Sequence, residues 1–435
     1  MKRLKLISLS LLPALLSAMS ITEVVQDAIA NHPQIQVEKA SLSIQKERLT
    51  QVRAGYLPSV DLSYSVGPEV TKTPANLREE ADLVRQEASA TLTQNIFTGL
   101  GTKYAMEEQE AIILSSDSTV QESANALALE ASTAYLNTLK TLELYNIAKE
   151  NVVVHDKYLQ QIKEKVDAGI VRNSDYEQTL SRYENAKNSE YVAKQNHFIA
   201  TYQLQRILPG IDPNALEEPM ANVLPTEEVD ALVEMAMKNN PTLSVTRNDI
   251  KAADAAVGRA QAAYYPSADI VAKGYWNENV HGLGYNTVTE EDDIESQDSG
   301  YSGMLVLNYN IFNGLADMAN EQANKYILLQ EHSTLADAKL FVEANTRVAW
   351  ITYKMTKEQL VYIDKNIEAS AKTVSDYQQE HELGRRSIID LLNIELEYNN
   401  ARNRKANTKY DSLIAYYQIL SHTGKILEEM NVIVK

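Results

Sequence analysis

The chain has 435 residues, no cysteine and a formal net charge of −18. Lack of cysteine removes disulfides and thiolate metal sites, and so acidic a chain is no nucleic-acid binder, because that surface has to be basic. Beyond the N-terminus no run reaches roughly eighteen consecutive apolar residues, so a membrane contact has to be made by strands and not by a spanning helix.

Residues 1–20 read as a secretory signal. Lys2, Arg3 and Lys5 open it, and residues 6–16 form an apolar run too short to cross a bilayer. Ala18-Met19-Ser20 offers a small-x-small cut before Ile21; a retained anchor is the alternative. No cysteine follows to carry a lipid anchor, and cleavage removes three cations and no acid, leaving a still more acidic chain.

A helix is expected over 22–54, capped by Thr22 and interrupted at Pro33, with Val24, Val25, Ala28 and Ile29 at helical spacing. After Gly55 the period changes. Residues 59–66 alternate polar and apolar, the pattern of a strand with two different faces, and Gly67-Pro68 ends it. A second strand through Ala90, Leu92 and Gln94 closes at Phe97-Thr98-Gly99. From 104 to 166 there is no proline or glycine and helix formers dominate, predicting one very long helix. Asp167-Ala168-Gly169 stops it, and Asn173-Ser174-Asp175 can cap a helix running to about Leu208.

Residues 209–228, with Pro209, Pro213, Pro219 and Pro225, form a linker. A helix starting near Thr226-Glu227-Glu228 then begins a second round of the same elements: strands from Ala268 and Tyr301, a long helix over 316–382, a turn at Gly384 and a last helix over 388–423. The acids from Glu290 to Asp298 lie in the loop between these strands; they lack calcium-loop spacing and read as solvated.

The two rounds are one pattern repeated. Asn31-His32-Pro33, Tyr56-Leu57-Pro58-Ser59 and Asn95-Ile96-Phe97-Thr98-Gly99 recur as Asn239-Asn240-Pro241, Tyr265-Pro266-Ser267 and Asn310-Ile311-Phe312-Asn313-Gly314. Pro33 to Pro58 and Pro241 to Pro266 are both 25 positions, and Gly99 to Gly169 and Gly314 to Gly384 are both 70. The chain thus divides into a signal (1–20), a first repeat (21–208), the linker (209–228) and a second repeat (229–435).

Each repeat supplies one hairpin, four strands per chain. Val60, Leu62, Tyr64, Val66, Ala90 and Leu92, with Ala268, Ile270, Tyr301, Leu305, Leu307 and Tyr309, are expected on a lipid-facing side; Ser63, Ser65, Thr91, Thr93, Asp269, Lys273, Ser302 and Asn308 are expected on the other. Met304 and Val306 break the alternation, and a soluble hairpin packed on helices is the alternative. Tyr56, Tyr64, Tyr265, Tyr275, Tyr309 and Trp276 are candidates for aromatic girdles. A lipid-embedded barrel admits no open edge and needs at least about eight strands, so copies of the chain have to assemble; twelve strands from three chains is the smallest number suited to an open conduit.

The ordered double set of motifs resembles the TolC-like outer-membrane channel proteins of Gram-negative bacteria, over essentially the whole chain after the signal. The resemblance implies a mainly α fold with a membrane β-barrel contribution: a homotrimer with a twelve-stranded barrel in outer-membrane lipid and a long α-helical barrel across the periplasm. It implies inward-coiling helix pairs that open when a periplasmic adaptor (membrane fusion) protein and an inner-membrane transporter dock. In this family acids narrow the entrance after the second turn; Asp390 matches the first, while Asn393 stands where the second acid is expected. Three residues apart, the two share a helical face. Taken from the residues alone, Asp390 is a first-turn acid on a helix dipole. Arg386 and Asp175 match the partners of a gate latch, and His381 stands where the family often has tyrosine. Gly169, Ile170, Val171, Gly384 and Arg385 fall on the expected adaptor-docking turns.

No catalytic or metal-binding constellation is present: the seven histidines are scattered, and there is no phosphate-binding glycine loop or serine elbow. No enzyme and no cofactor are expected. The expected function is the outer-membrane component of a type I secretion system with an ABC transporter. A multidrug or small-molecule efflux component working with a proton-driven pump is the first alternative, and a secreted helical filament is the alternative of another class.

Overall fold

The structure, a computed structural model, describes residues 19–72, 81–219, 224, 226, 228–280, 284–286, 291–293 and 297–433. Most of the signal segment, and Glu290 and Glu295 of the acidic loop, lie outside the described residues. In chain order the elements are α1 (Ile21–Asn31), α2 (Pro33–Arg53), β1 (Ser59–Thr71), β2 (Ala81–Thr98), α3 (Gly101–Asp167), α4 (Asn173–Ile207), α5 (Val229–Asn239) and α6 (Pro241–Gln261). Then come β3 (Ser267–Glu278), β4 (Gly284–Asn286), β5 (Glu291–Asp293), β6 (Gln297–Asn308), α7 (Ala316–Glu382), α8 (Ile388–His422) and α9 (Ile426–Glu429).

The duplication is carried into element lengths. α1 and α5 have 11 residues each, α2 and α6 have 21, α3 and α7 have 67, and α4 and α8 have 35. At the helical rise, 67 residues extend about 100 Å. The paired Gly99-Leu100 and Gly314-Leu315 both take left-handed backbone. Pro33 and Pro241 each open a helix, where the missing N–H is no loss.

The chain groups into two compact units, each assembled from both repeats. One comprises residues 40–117 and 245–336 and holds the four-stranded antiparallel sheet, in the order β1-β2-β3-β6. The register puts Val60, Leu92, Ala272 and Gly303 in one row, Leu62, Ala90, Gly274 and Tyr301 in the next, and Tyr64, Ala88, Trp276 and Ser299 in a third. Ile270 pairs with Leu305 and Ala268 with Leu307 on the same side. These apolar side chains are not covered by the chain: Leu62 is 81% exposed and Leu305 65%. The other side carries Asp61, Thr91, Lys273 and Ser302 in one row, with Ser65, Glu87, Asn277 and Asp298 in another. Met304 and Val306 do fall on this side, opposite Val271 and Asp269.

β1 does not stop at Gly67-Pro68 but runs on to Thr71. It is an edge strand, where a residue without an N–H is tolerated because that side can face the unpaired edge. Tyr309 lies just past β6, and Tyr275 is on the polar side, its hydroxyl packed over Gly300. The acidic segment is not all loop: β5 pairs with β4.

The other unit comprises residues 118–244 and 337–433, with the chain before residue 40. Its core joins Val24, Val25, Ala28 and Ile29 of α1, Leu127, Tyr135 and Leu136 of α3, Leu204 and Ile207 of α4, and Ile419 and Leu420 of α8. Fully burying each such side chain contributes on the order of 1.5–3 kcal/mol. The linker joins in, with Ile211 and Leu224 buried in the same core. Ser20, not Thr22, caps α1: its hydroxyl accepts from the Glu23 N–H, and the Glu23 carboxylate accepts from the Ser20 N–H. Met19 pairs with the linker, its N–H donating to Ala215 O at 2.7 Å. Asn173 is the first residue of α4, whose cap position, Arg172, makes no side-chain cap. α5 starts at Val229, just after the expected Thr226-Glu227-Glu228.

Candidate functional site

The site is built where α3 turns into α4 and α7 into α8. Both long helices end in the same Schellman turn. Gly169 N–H donates to Val166 O and Ile170 N–H to Lys165 O, each at 2.9 Å; Gly384 N–H donates to His381 O at 2.9 Å and Arg385 N–H to Glu380 O at 2.8 Å. The motif needs left-handed backbone at its pivot, and Gly169 and Gly384 have φ of +71° and +70°. Nothing crowds either glycine, so φ alone demands it. The turns leave apolar groups in the open: Ile170 is 74% exposed and Leu383 70%. Val171 instead packs inward.

Behind the turns sits a second, smaller core. Ile388, Leu391 and Leu392 of α8 bury against Tyr158, Leu159 and Ile162 of α3, with Leu180 and Tyr183 of α4 and Tyr377 of α7 packed around them. This core sets the position of the polar groups beside it.

Asp390 lies in the first turn of α8. The Ser387 hydroxyl accepts from the Asp390 N–H at 3.1 Å and donates to its carboxylate at 2.7 Å. Asp390 therefore does double work as a helix-capping partner, in the favourable field of the helix N-terminus. Asn393 is exposed, and its Oδ1 accepts from Arg182 Nη2 of α4 at 2.8 Å.

Arg386 does not reach Asp175. Its Nε and Nη2 donate to Glu380 Oε2 at 2.9 and 2.8 Å, and its guanidinium stacks on the Tyr377 ring at 4.0 Å. The Schellman turn is the reason: it folds the chain back so that Arg386 follows the residue whose N–H is bound to Glu380 O. His381 is pinned at both nitrogens. Its Nδ1–H donates to Arg386 O at 2.8 Å, which leaves Nε2 to accept from Lys165 Nζ of α3 at 3.2 Å.

Cross-links between the first and second helix pairs thus join residues that the sequence singled out, Asn393 and His381, to partners that it did not, Arg182 and Lys165. Arg182–Asn393 joins α4 to α8 and Lys165–His381 joins α3 to α7. Asn399–Asn151 at 2.8 Å and Arg402–Glu150 at 2.7 Å join α8 to α3. Glu395 is buried, with Tyr158 Oη 3.4 Å and Gln378 Nε2 3.3 Å from its Oε1. Burial pushes the Glu395 carboxyl and the Tyr158 hydroxyl up from their ordinary values. It pushes the His155 imidazole down, helped by Arg182 nearby, and His155 Nδ1 has no partner among the described residues. Asn393, in place of an acid, and His381 are the residues here that the sequence pointed to; the signal for Glu395, an acid at apolar-stripe spacing in α8, is present in the sequence but was not read from it.

Among the described residues there is no cluster of metal-ligating side chains and no helix long and apolar enough to cross a membrane. What the fold offers is a sheet with an exposed apolar side and two long helix pairs. Residues 24–210 and 232–425 each match the outer membrane efflux protein family. The chain belongs to that family. It is 23% identical to the outer membrane protein TolC of Escherichia coli, over 97% of this chain and 86% of TolC. It is 22% identical to the alkaline protease secretion protein AprF of Pseudomonas aeruginosa, over 92% of this chain and 83% of AprF. The fold superposes on the CmeC outer membrane channel of Campylobacter jejuni with a TM-score of 0.77 and 16% identity, covering 93% of this chain and 85% of CmeC.

Family membership makes the protein an outer-membrane export component of a Gram-negative bacterium, with a large periplasmic helical part, and not an enzyme. Its fold is that of the trimeric barrel-and-tunnel channels, mainly α with four strands from each chain. A secreted filament would leave the exposed apolar sheet without a purpose, and the family replaces that reading.

Proposed function

We propose that three copies of the chain close a twelve-stranded barrel in outer-membrane lipid and form the exit duct of a type I protein secretion system. The observation that carries the duct is the sheet: its apolar side is exposed, and among the described residues its edges, β1 and β6, are unpaired and run in opposite directions. In lipid such edges have to be paired, and β6 of one copy against β1 of the next continues the antiparallel order. The partners are an inner-membrane ABC transporter and a periplasmic adaptor, which docks on the turns at 169–171 and 384–385. Exposed Ile170 and Leu383 suit such docking.

The entrance is narrowed by a ring of three Asp390 carboxylates, with Asn393 beneath it. The latch holding it closed is the set of braces between helix pairs, Arg182–Asn393 and Lys165–His381, in place of an Arg386–Asp175 pair. Protein cargo is supported by the match to a protease secretion protein over 92% of the chain. The second reading, small-molecule efflux with a proton-driven pump, is favoured by the match to the toluene efflux pump outer membrane protein TtgC of Pseudomonas putida, 20% identical over 58% of the chain.

The deciding experiment is purification of the assembled complex from its own cells. An ABC exporter in the complex supports protein secretion, and a proton-driven pump replaces it with efflux. A detergent-free, soluble monomer would overturn the duct itself.

A further inference from the structure

A carboxyl group lies where the α8 stripe calls for an apolar side chain. Ile388, Leu391, Leu392 and Glu395 fall at helical spacing on one face, and all four are buried, Glu395 to 5% exposure. Its Oε1 is within reach of two helices at once: Tyr158 of α3 and Gln378 of α7, which also bond to each other at 3.2 Å. The charges that reach Glu395 are Lys157 on α3 and Arg402 on its own helix, and Arg402 is already paired with Glu150. α7 presents the neutral Gln378, and the nearby cation of α4, Arg182, is committed to Asn393. Burial outweighs the hydrogen bonds and both cations, so the packed arrangement holds the carboxyl above its ordinary value. The Tyr158 hydroxyl and the Gln378 amide both donate to this one oxygen, and the amide also donates to the hydroxyl, so the three side chains form one node between α3, α7 and α8.

We propose that Glu395 is a positioning residue of the entrance: buried among three helices, it ties α8, and with it Asp390 and Asn393, to α3 and α7, and placing a charge on it there favours parting of the helix pairs. This rests on the channel reading above. When the helix pairs part, the carboxyl meets water and returns to its ordinary range, about 4.3. A group whose value is raised in the packed state stabilises that state fully below the ordinary value, and the contribution is lost as pH rises through the raised one. Acid therefore holds the entrance shut, and opening becomes easier as pH climbs through that window. Each pH unit inside it changes the open-to-closed ratio by up to about tenfold for each chain engaged.

The test is the open probability of purified trimers in planar bilayers across that window, in an Asp390→Asn background that removes the titration of the ring. The parent is expected to open more as pH rises. Glu395→Gln, which keeps the neutral shape, is expected to be flat and as closed as the parent in acid. Tyr158→Phe, which removes one partner while keeping the packed ring, is expected to shift the midpoint. A Glu395→Gln channel that keeps the parent's pH profile overturns the proposal, as does an unmoved midpoint in Tyr158→Phe should Glu395→Gln not assemble. Trimers that conduct at no pH would instead overturn the channel reading.

Discussion

Arg182→Ala is the perturbation that separates the latch of the structure from the latch expected from family motifs. It removes a 2.8 Å bond from a guanidinium to the Asn393 amide oxygen and leaves the apolar side chains of the cluster behind it in place. A hydrogen bond with one charged partner contributes about 1.5–3 kcal/mol. Asn393 is exposed and Arg182 half-buried, so solvent brings this down to about 1 kcal/mol per chain. If one chain at a time loosens, the open-to-closed ratio rises about fivefold; if three open together, about 3 kcal/mol is lost and the ratio rises over a hundredfold. The assay is single-channel recording at neutral pH and fixed salt, with Arg386→Ala alongside. Arg386 is bound within its own turn by Glu380 and Tyr377, so its loss is expected to alter docking at the turn and leave the closed state nearly as populated. An open Arg386→Ala channel beside a closed Arg182→Ala channel would refute the reasoning.

Asn393→Asp should act in two ways, tightening the brace to Arg182 and adding three acids to the entrance; reversal potentials in a salt gradient should shift toward cations while openings become rarer. On the sheet, Leu62→Lys or Leu305→Lys puts a charge on the uncovered apolar side, a cost of about 2–4 kcal/mol at the bilayer midplane. The yield of heat-modifiable trimer in outer-membrane fractions should fall, whereas Ser63→Lys, on the opposite side, should be tolerated. At the N-terminus, the cap at Ser20 and the pairing of Met19 are part of the folded unit. Cleavage before Ile21 would forfeit a cap of about 1 kcal/mol, so a chain beginning at Ile21 should melt at a lower temperature than one that keeps Met19 and Ser20.

The repeat, the long helices and the sides of the strands were legible because each rests on a short-range rule. Helix formers without proline or glycine predicted α7 at its observed bounds, and period-two alternation placed Val60, Leu62, Tyr64, Leu92, Ile270, Leu305 and Leu307 on one side. Where several rules compete locally, the reading slipped. Gly67-Pro68 is a stop signal in isolation, but an edge strand has room for it. Thr22 and Ser20 are both good caps, and only the bond to Glu23 together with the pairing of Met19 distinguishes them.

The latch shows why partners are harder to read than elements. Arg386 and Asp175 carry opposite charges on neighbouring turns, and motif matching pairs them. Glu380 is six residues before Arg386, a spacing that means nothing on a continuous helix. It becomes a contact only because a left-handed glycine ends α7 and bends the chain back over its last turn. With Arg386 held there, the role of joining the helix pairs passes to side chains on the helices themselves, Lys165 and His381 in the last turns of α3 and α7 and Arg182 and Asn393 further along α4 and α8, where long-range packing sets the distance. Arg182 and Asn393 are 211 positions apart and Lys165 and His381 are 216 apart. The internal repeat relates these regions by an offset of 215, from Gly169 to Gly384, so each brace joins near-equivalent positions of the two copies. A duplicated helix pair brings equivalent surfaces face to face, and identical side chains there would set like charges together. Divergence at such positions, arginine against asparagine and lysine against a neutral histidine, is what allows two copies of one motif to hold each other.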